Sequence, residues 1–321
     1  MFGLQFARLA RPLLNLAIIL GASLAGLTAP EATAEPNWQA ASRPAPVSPM
    51  LAPPDVGAAD RLAAADRLRT LSQELQAAAC ALHAGIDPEA GRAALIQARR
   101  EFAHVLNALE FGNPAMGIAG AEQRSSTLRK LHDMRAIWTL MREEVSALIA
   151  AGPDSEAFAR VLRFEGLLHR TSGALFAEVA GQYANPFELL QADVHLIDIA
   201  GRQALLAQEI ATYACRLALA PQSAETVEAL KAALSQATLG AEALHIGLPA
   251  LGIPPAPTHE IARQLSDLRE EMSTLSERLA EITRGSAAPR DVTSVIRALA
   301  TRAEAVNEIV RLYTAHAERV L

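Results

Sequence analysis

Arg69, Gln73, Gln76, Cys80 and His83 recur at helical spacing in the first quarter of this chain. Arg69 to Cys80 is eleven residues, close to three helical turns, so a helix here lays these groups along one stripe. The stripe carries a guanidinium, two amides, a thiol and an imidazole. A guanidinium matches planar oxyanions, and neighbouring amides can orient it or share the ligand. A second cysteine, Cys215, follows Cys80 by 215 − 80 = 135 residues. Two readings of the pair stand open: a disulfide joining two helices, or two free thiols at equivalent places in a repeat. A metal or haem site from Cys80-x-x-His83 lacks a second Cys/His pair to complete it, since Ala218 stands where His83 would recur.

Other chemistry is missing from the sequence. His104, His132, His169, His195, His245, His259 and His316 form no H-E-x-x-H or i, i+4 pair. No nucleophile elbow, P-loop or dinucleotide fingerprint occurs. Glu143-Glu144 and Glu270-Glu271 are adjacent, so they do not converge on one point of a helix face. The expectation is a non-catalytic protein without a cofactor.

The elements that must position the stripe are helices. Apolar residues recur at steps of three and four, as in Leu68, Leu71, Leu75, Ala78 and Leu82. Their counterpart is Leu196, Ile199, Leu206, Ile210, Tyr213 and Leu217, interrupted by Gln203. With the leucines at core positions, Arg69, Gln73, Gln76, Cys80 and His83 take b and f positions and turn away from their own bundle. Such a face is either solvated or meets a partner. Breaks fall at Asp87-Pro88, Gly112 to Gly120, Gly152-Pro153-Asp154, Asn185-Pro186, Pro221, Gly247 to Pro257 and Gly285 to Pro289. No strand-period segment appears. Trp138, between Ile137 and Met141, is expected in a core, whereas Trp38 lies in a leader.

The second half repeats the first. ALEFGNPAMGI from Ala108 returns as ALHIGLPALGI from Ala243, and RLRTLSQELQAAAC from Arg67 returns as RQALLAQEIATYAC from Arg202. Both have the same offset, 243 − 108 = 202 − 67 = 135. A period this long marks a repeated domain rather than a solenoid. The expected fold is all-α: two tandem antiparallel four-helix bundles related by internal duplication, eight helices in all, over residues 58–187 and 188–321.

AADRLRTLSQE from Ala64 and IAGRQALLAQE from Ile199 resemble the AGRQRMLSQR signature of the type IV pilus chemotaxis transducer N-terminal domain, a PilJ-type, NarX-like module. The resemblance extends to Phe102, Leu106, Leu109 and Gly112, to Trp138, and to Val179 and Tyr183. Copy two keeps Leu244, Gly247, Ile309 and Tyr313, with Leu275 near the tryptophan position. What the resemblance implies is a periplasmic sensory four-helix module. In its nitrate-sensing members, a signature arginine binds a small oxyanion between the first helices of two subunits. Carried over, that arginine is Arg69 in copy one, but copy two has Ala204. An earlier arginine recurs as Arg67 and Arg202, and the last is replaced by Glu74 and Glu209. The ligand-binding set implied is Arg67, Arg69, Ser72, Gln73, Arg202 and Gln208. A symmetric two-arginine clamp is excluded, leaving one asymmetric site or none.

Composition agrees with a helical protein: of 321 residues 51% are hydrophobic and only 4% aromatic. A net charge of −6 without any basic block argues against nucleic acid as a partner. Residues 1–34 read as a secretory signal, with Arg8 and Arg11, the apolar run Leu13 to Leu27, and the cleavage site Ala32-Thr33-Ala34. Residues 35–57 read as a proline-rich disordered leader. The expected location is the periplasm, with no membrane span after signal removal. The family's membrane receptors carry their own output domains. This chain ends at Leu321, so its expected partners are a small anionic ligand and a separate membrane receptor or sensor kinase.

Overall fold

The computed structural model describes residues 57–183, 190–221 and 223–320; the signal, the leader as far as residue 56 with Trp38, and Asn185-Pro186 lie outside them. The described residues run α1 (Ala58–His83), α2 (Pro88–Phe111), α3 (Ser125–Ala151), α4 (Ser155–Leu162), α5 (Glu165–Tyr183), α6 (Gln191–Leu219), α7 (Ala224–Ile246), α8 (His259–Thr283) and α9 (Pro289–Val320). The architecture is all-α. A turn at 163–164 divides the expected fourth helix into α4 and α5. Phe164 N–H reaches back only to the Val161 carbonyl, and Gly166, a poor helix former, opens the next turn.

The breaks lie where capping chemistry puts them. The Asp87 carboxylate accepts from Ala90 N–H and Pro88 takes the first helical position. Asp154 caps α4 by accepting from Ala157 N–H at 2.6 Å. Gly112 ends α2 and Gly247 ends α7, both at positive φ (83° and 81°). A Cβ at Gly112 would lie 2.7 Å from the Gly120 backbone, and one at Gly247 would lie 2.7 Å from Pro255 N. Only glycine fits either place. Each is followed by a 3₁₀ turn, Pro114–Met116 or Pro249–Leu251, closed by a backbone bridge, Asn113 to Ile118 or Leu248 to Ile253.

In the first bundle α1 lies beside α2 and α5, and α3 packs on α2, α4 and α5 from the far side. In the second, α6 lies beside α7 and α9, with α8 packing on all three. Leu68, Leu71, Leu75 and Leu82 are buried, as is Trp138, which stacks on Phe102 at 4.1 Å. The far ends of the bundles differ. Tyr183 donates to Glu122 at 3.2 Å, whereas the Tyr313 hydroxyl is buried without a partner and burial pushes its ionisation up.

α1 also packs along α6, so that 21 of its 26 residues are buried and it has no solvated face of ordinary width. The stripe expected to be solvated or to meet a partner is therefore interior, and what covers it is the second half of the same chain. Leu62, Asp66, Arg69, Gln73, Gln76 and Cys80 alternate in steps of four and three, the spacing of a coiled-coil seam. Ile197, Gly201, Ala204, Gln208, Ala211 and Cys215 repeat it on α6, and all twelve are buried.

Two contacts fix the register of this seam. A Cβ built on Gly201 would fall on the Asp66 carboxylate. Cys80 and Cys215 are joined as a disulfide with Cα atoms 6.2 Å apart. Residue numbers rise together along both helices, so α1 and α6 run parallel. The disulfide also uses the Cys80 thiolate, which leaves Cys80-x-x-His83 without its sulfur ligand.

Crosslinking residues 135 apart restricts the unfolded chain strongly. Replacing Cys80 and Cys215 together by alanine is expected to cost about 2–4 kcal/mol in urea unfolding. Peptide mapping without reductant should recover the two cysteines linked. Recovery of both as free thiols, or equal unfolding midpoints, would count against the crosslink.

Candidate functional site: the α1–α6 seam and its two flanks

Arg69 lies at the middle of the seam and is enclosed on three sides. Its Nε donates to Asp66 Oδ1 at 2.9 Å, with Nη2 donating to the same oxygen. Nη2 also pairs with Asp198 of α6 at 2.8 Å, and the guanidinium carbon lies 3.8 Å from the centre of the Phe176 ring. A charge removed from water is tolerable only when paired, and this one is paired twice and covered by an aromatic face. Burial alone would lower the Arg69 pKa, but the carboxylates Asp66 and Asp198 outweigh it and raise it. Asp66 resolves the other way. Its burial outweighs the pull of Arg69, and the carboxyl is pushed up to about 6, with Asp198 adding to the rise. The difference follows from position: Asp66 is wedged against Gly201, whereas Arg69 keeps one exposed edge.

The six sequence-derived residues do not form one site. Gln73 shares a hydrogen bond with His169 Nδ1 of α5 at 2.9 Å, which places it on the α5 flank with Arg69. His169 is held below the usual histidine range by burial, then by the charges of Arg69 and Arg202. Arg202 donates to Gln236 of α7 at 2.7 Å. Ser72 Oγ donates to the Arg69 carbonyl within its own helix.

Arg67 and Gln208 lie on the opposite flank, where α2 and α9 leave a cavity of about 510 Å³ over α1 and α6. There Arg67 donates twice to Glu101, at 2.6 and 2.8 Å, and pairs with Glu74 at 3.1 Å. Its Nη1 is buried without a partner. Burial opposes the Arg67 charge, but Glu101 and Glu74 together raise its pKa. The Glu74 carboxyl is raised, by burial first, with the Glu101 and Glu304 charges adding to it against Arg67.

Sequence reasoning passed over the residues that close the seam. Asp66 stands where copy two has Gly201, and that mismatch between aligned copies was its signal. Asp198 and Phe176 had none, since they reach Arg69 only through tertiary packing.

The site is thus a parallel helix pair, α1 against α6, with one flank closed by α5 and the other open between α2 and α9. Residues 55–164 match the family model described as type IV pili methyl-accepting chemotaxis transducer N-term. The match spans 164 − 55 + 1 = 110 of 321 residues and takes in α1 to α4, including every α1 residue of the seam. No curated protein and no solved structure matches the chain. Among the described residues, no helix is long and apolar enough to cross a membrane.

A carboxyl whose pKa is raised on folding binds its proton more tightly in the native state, so stability is lost as pH rises through the folded value. For Asp66 that window runs from about 4 to about 6. Asp60, pushed up to about 7 by burial and by Glu318, acts in the same direction. The melting temperature of Asp66→Asn should therefore fall less than that of the unaltered protein between pH 4 and pH 6.5. Parallel curves for the two proteins would show that Asp66 does not titrate in this window.

Proposed function

We propose that this chain is a non-catalytic sensory module of the chemotaxis-transducer type, working in the periplasm and passing its state to a separate receptor or sensor kinase. Its two halves act as an internally duplicated pair. The first helices, which the family resemblance would draw from two subunits, are carried and stapled within one chain. The match over residues 55–164 supports the sensory class, and the parallel α1–α6 seam supports the pairing.

In this reading the anion position is filled from inside. Asp66 takes hydrogen bonds from Arg69, and Asp198 pairs with it as a counter-ion, so the charge a small oxyanion would neutralise is already met. Of the two, Asp198 is the replaceable one. Its side chain is 42% exposed, whereas that of Asp66 is 3% exposed. An added anion must displace a carboxylate already held at high effective concentration, so free nitrate competes poorly. The second reading is an adaptor bundle that binds no small ligand, and the same self-pairing of its arginines favours it.

Thermal shift separates these. Millimolar nitrate, nitrite or acetate should leave the melting temperature where chloride at equal ionic strength leaves it. Asp198→Ala, which vacates one partner of Arg69 at a partly exposed position, should gain a rise with nitrate that chloride does not give. A nitrate response in the unaltered protein that disappears in Arg69→Ala would instead make the clamp an open anion sensor.

A further inference from the structure

The cavity on the α2–α9 flank has no part in the Arg69 cluster. Its volume of about 510 Å³ lies within the range of small-molecule sites. The floor is built of methyl groups, with Ala77, Ala78 and Ala81 from α1 and Ala211 from α6, and Ala94 and Ala300 on the walls. The opposite flank shows what else these positions can hold. At the 135-residue offset, Ala77, Ala78 and Ala81 become Thr212, Tyr213 and Arg216, and Arg216 reaches across to Glu165 at 2.6 Å. Larger side chains occupy one flank, and small ones leave the other open.

Charge sets the kind of occupant. At one end of the cavity Asp87 and Arg297 neutralise each other as an ion pair. Elsewhere Glu74, Glu101 and Glu304 line it against the single guanidinium of Arg67, so three carboxylates face one cation. An anion would meet that excess, whereas a cation relieves it. The lining holds no aromatic ring to cage a quaternary ammonium. A primary ammonium can instead donate hydrogen bonds to the carboxylates.

We propose that the α2–α9 cavity is a binding site for a small amphiphilic primary amine. Its apolar body lies on the alanine floor and its ammonium lies among Glu74, Glu101 and Glu304. The proposal deepens the reading of this chain as a sensory module and rests on it, while locating recognition on the flank away from Arg69.

Heptylamine, 1-heptanol and heptanoate share an apolar chain and differ in charge, so their affinities for the intact disulfide-bonded protein at pH 7 test the site by calorimetry. Heptylamine should bind at least tenfold tighter than either of the others. Glu304→Gln, at an exposed position of α9, should weaken the amine at least threefold and leave the alcohol unchanged. Ala300→Leu, also at an exposed position, should abolish amine binding without lowering the melting temperature. Equal affinities for the three probes, no amine binding at millimolar concentration, or binding that survives Ala300→Leu would each overturn the proposal. Asp198→Ala should leave amine binding intact. Failure of the cavity therefore does not bear on the self-closed clamp, and failure of the clamp does not bear on the cavity.

Discussion

The structure depends on one constraint: two long helices must lie parallel and in contact along a seam that contains charge. Helices pack closely only where one surface gives way to the other. On α1 the seam holds Asp66, Arg69 and Gln76, and on α6 the matching positions are Gly201, Ala204 and Ala211. At these three positions the large side chain comes from α1 and the small one from α6, whereas Leu62 with Ile197 and Gln73 with Gln208 are matched in size. Gly201 makes room for a carboxylate that any side chain would strike. The disulfide from Cys80 to Cys215 holds the same register two heptads further on. The Arg69 cluster and the α2–α9 cavity both lie against this pair, one on each flank.

Burying these groups is costly, and the chain offsets the cost unevenly. Arg69 and Asp66 form a pair inside the seam, which makes each tolerable to the other. Gln76 does not share in it, since both of its amide atoms are buried without partners, an arrangement that costs about 1–3 kcal/mol for each such group. Arg302 is similar, with Nη1 donating to the Leu268 carbonyl while its other nitrogens go unpartnered, and burial lowers its pKa to about 10. Unsatisfied groups inside a packed interface reduce the margin by which one arrangement of the helices is preferred over another.

Much of the fold was legible in the sequence because it is written locally. Leucine spacing and the breaks at Asp87-Pro88, Gly112, Gly152-Pro153-Asp154 and Gly247 depend on near neighbours, and they located the helices and most of their ends. The division between α4 and α5 was not visible, because Phe164 and Gly166 interrupt an otherwise helical pattern only weakly. The site was half legible. Arg69 and Gln73 declared themselves by chemistry and spacing, but whether their stripe faced water or protein depended on where α6 lay, which no local pattern records. The α2–α9 cavity was invisible for a different reason. Its floor is alanine, and alanine in a helix reads as propensity rather than as the wall of a site.

Carrying both first helices in one chain gives this seam a freedom that a symmetric dimer lacks. In a two-fold dimer every seam residue at the axis meets its own copy. Asp66 would then face a second Asp66, placing two buried carboxylates together in the space that Gly201 now leaves, and Arg69 would approach a second Arg69. Like charges in low dielectric repel strongly, and such a pair persists only by taking up a proton or an outside counter-ion. A symmetric arginine pair therefore calls for an external anion. A single arginine facing Ala204, with Asp66 and Asp198 at hand, does not. The same asymmetry let one flank fill with Tyr213 and Arg216 while the other kept Ala78 and Ala81. On the proposed reading of an internally paired module, the difference between α1 and α6 accounts for both the self-paired Arg69 and the open cavity: the counter-ion comes from the chain itself.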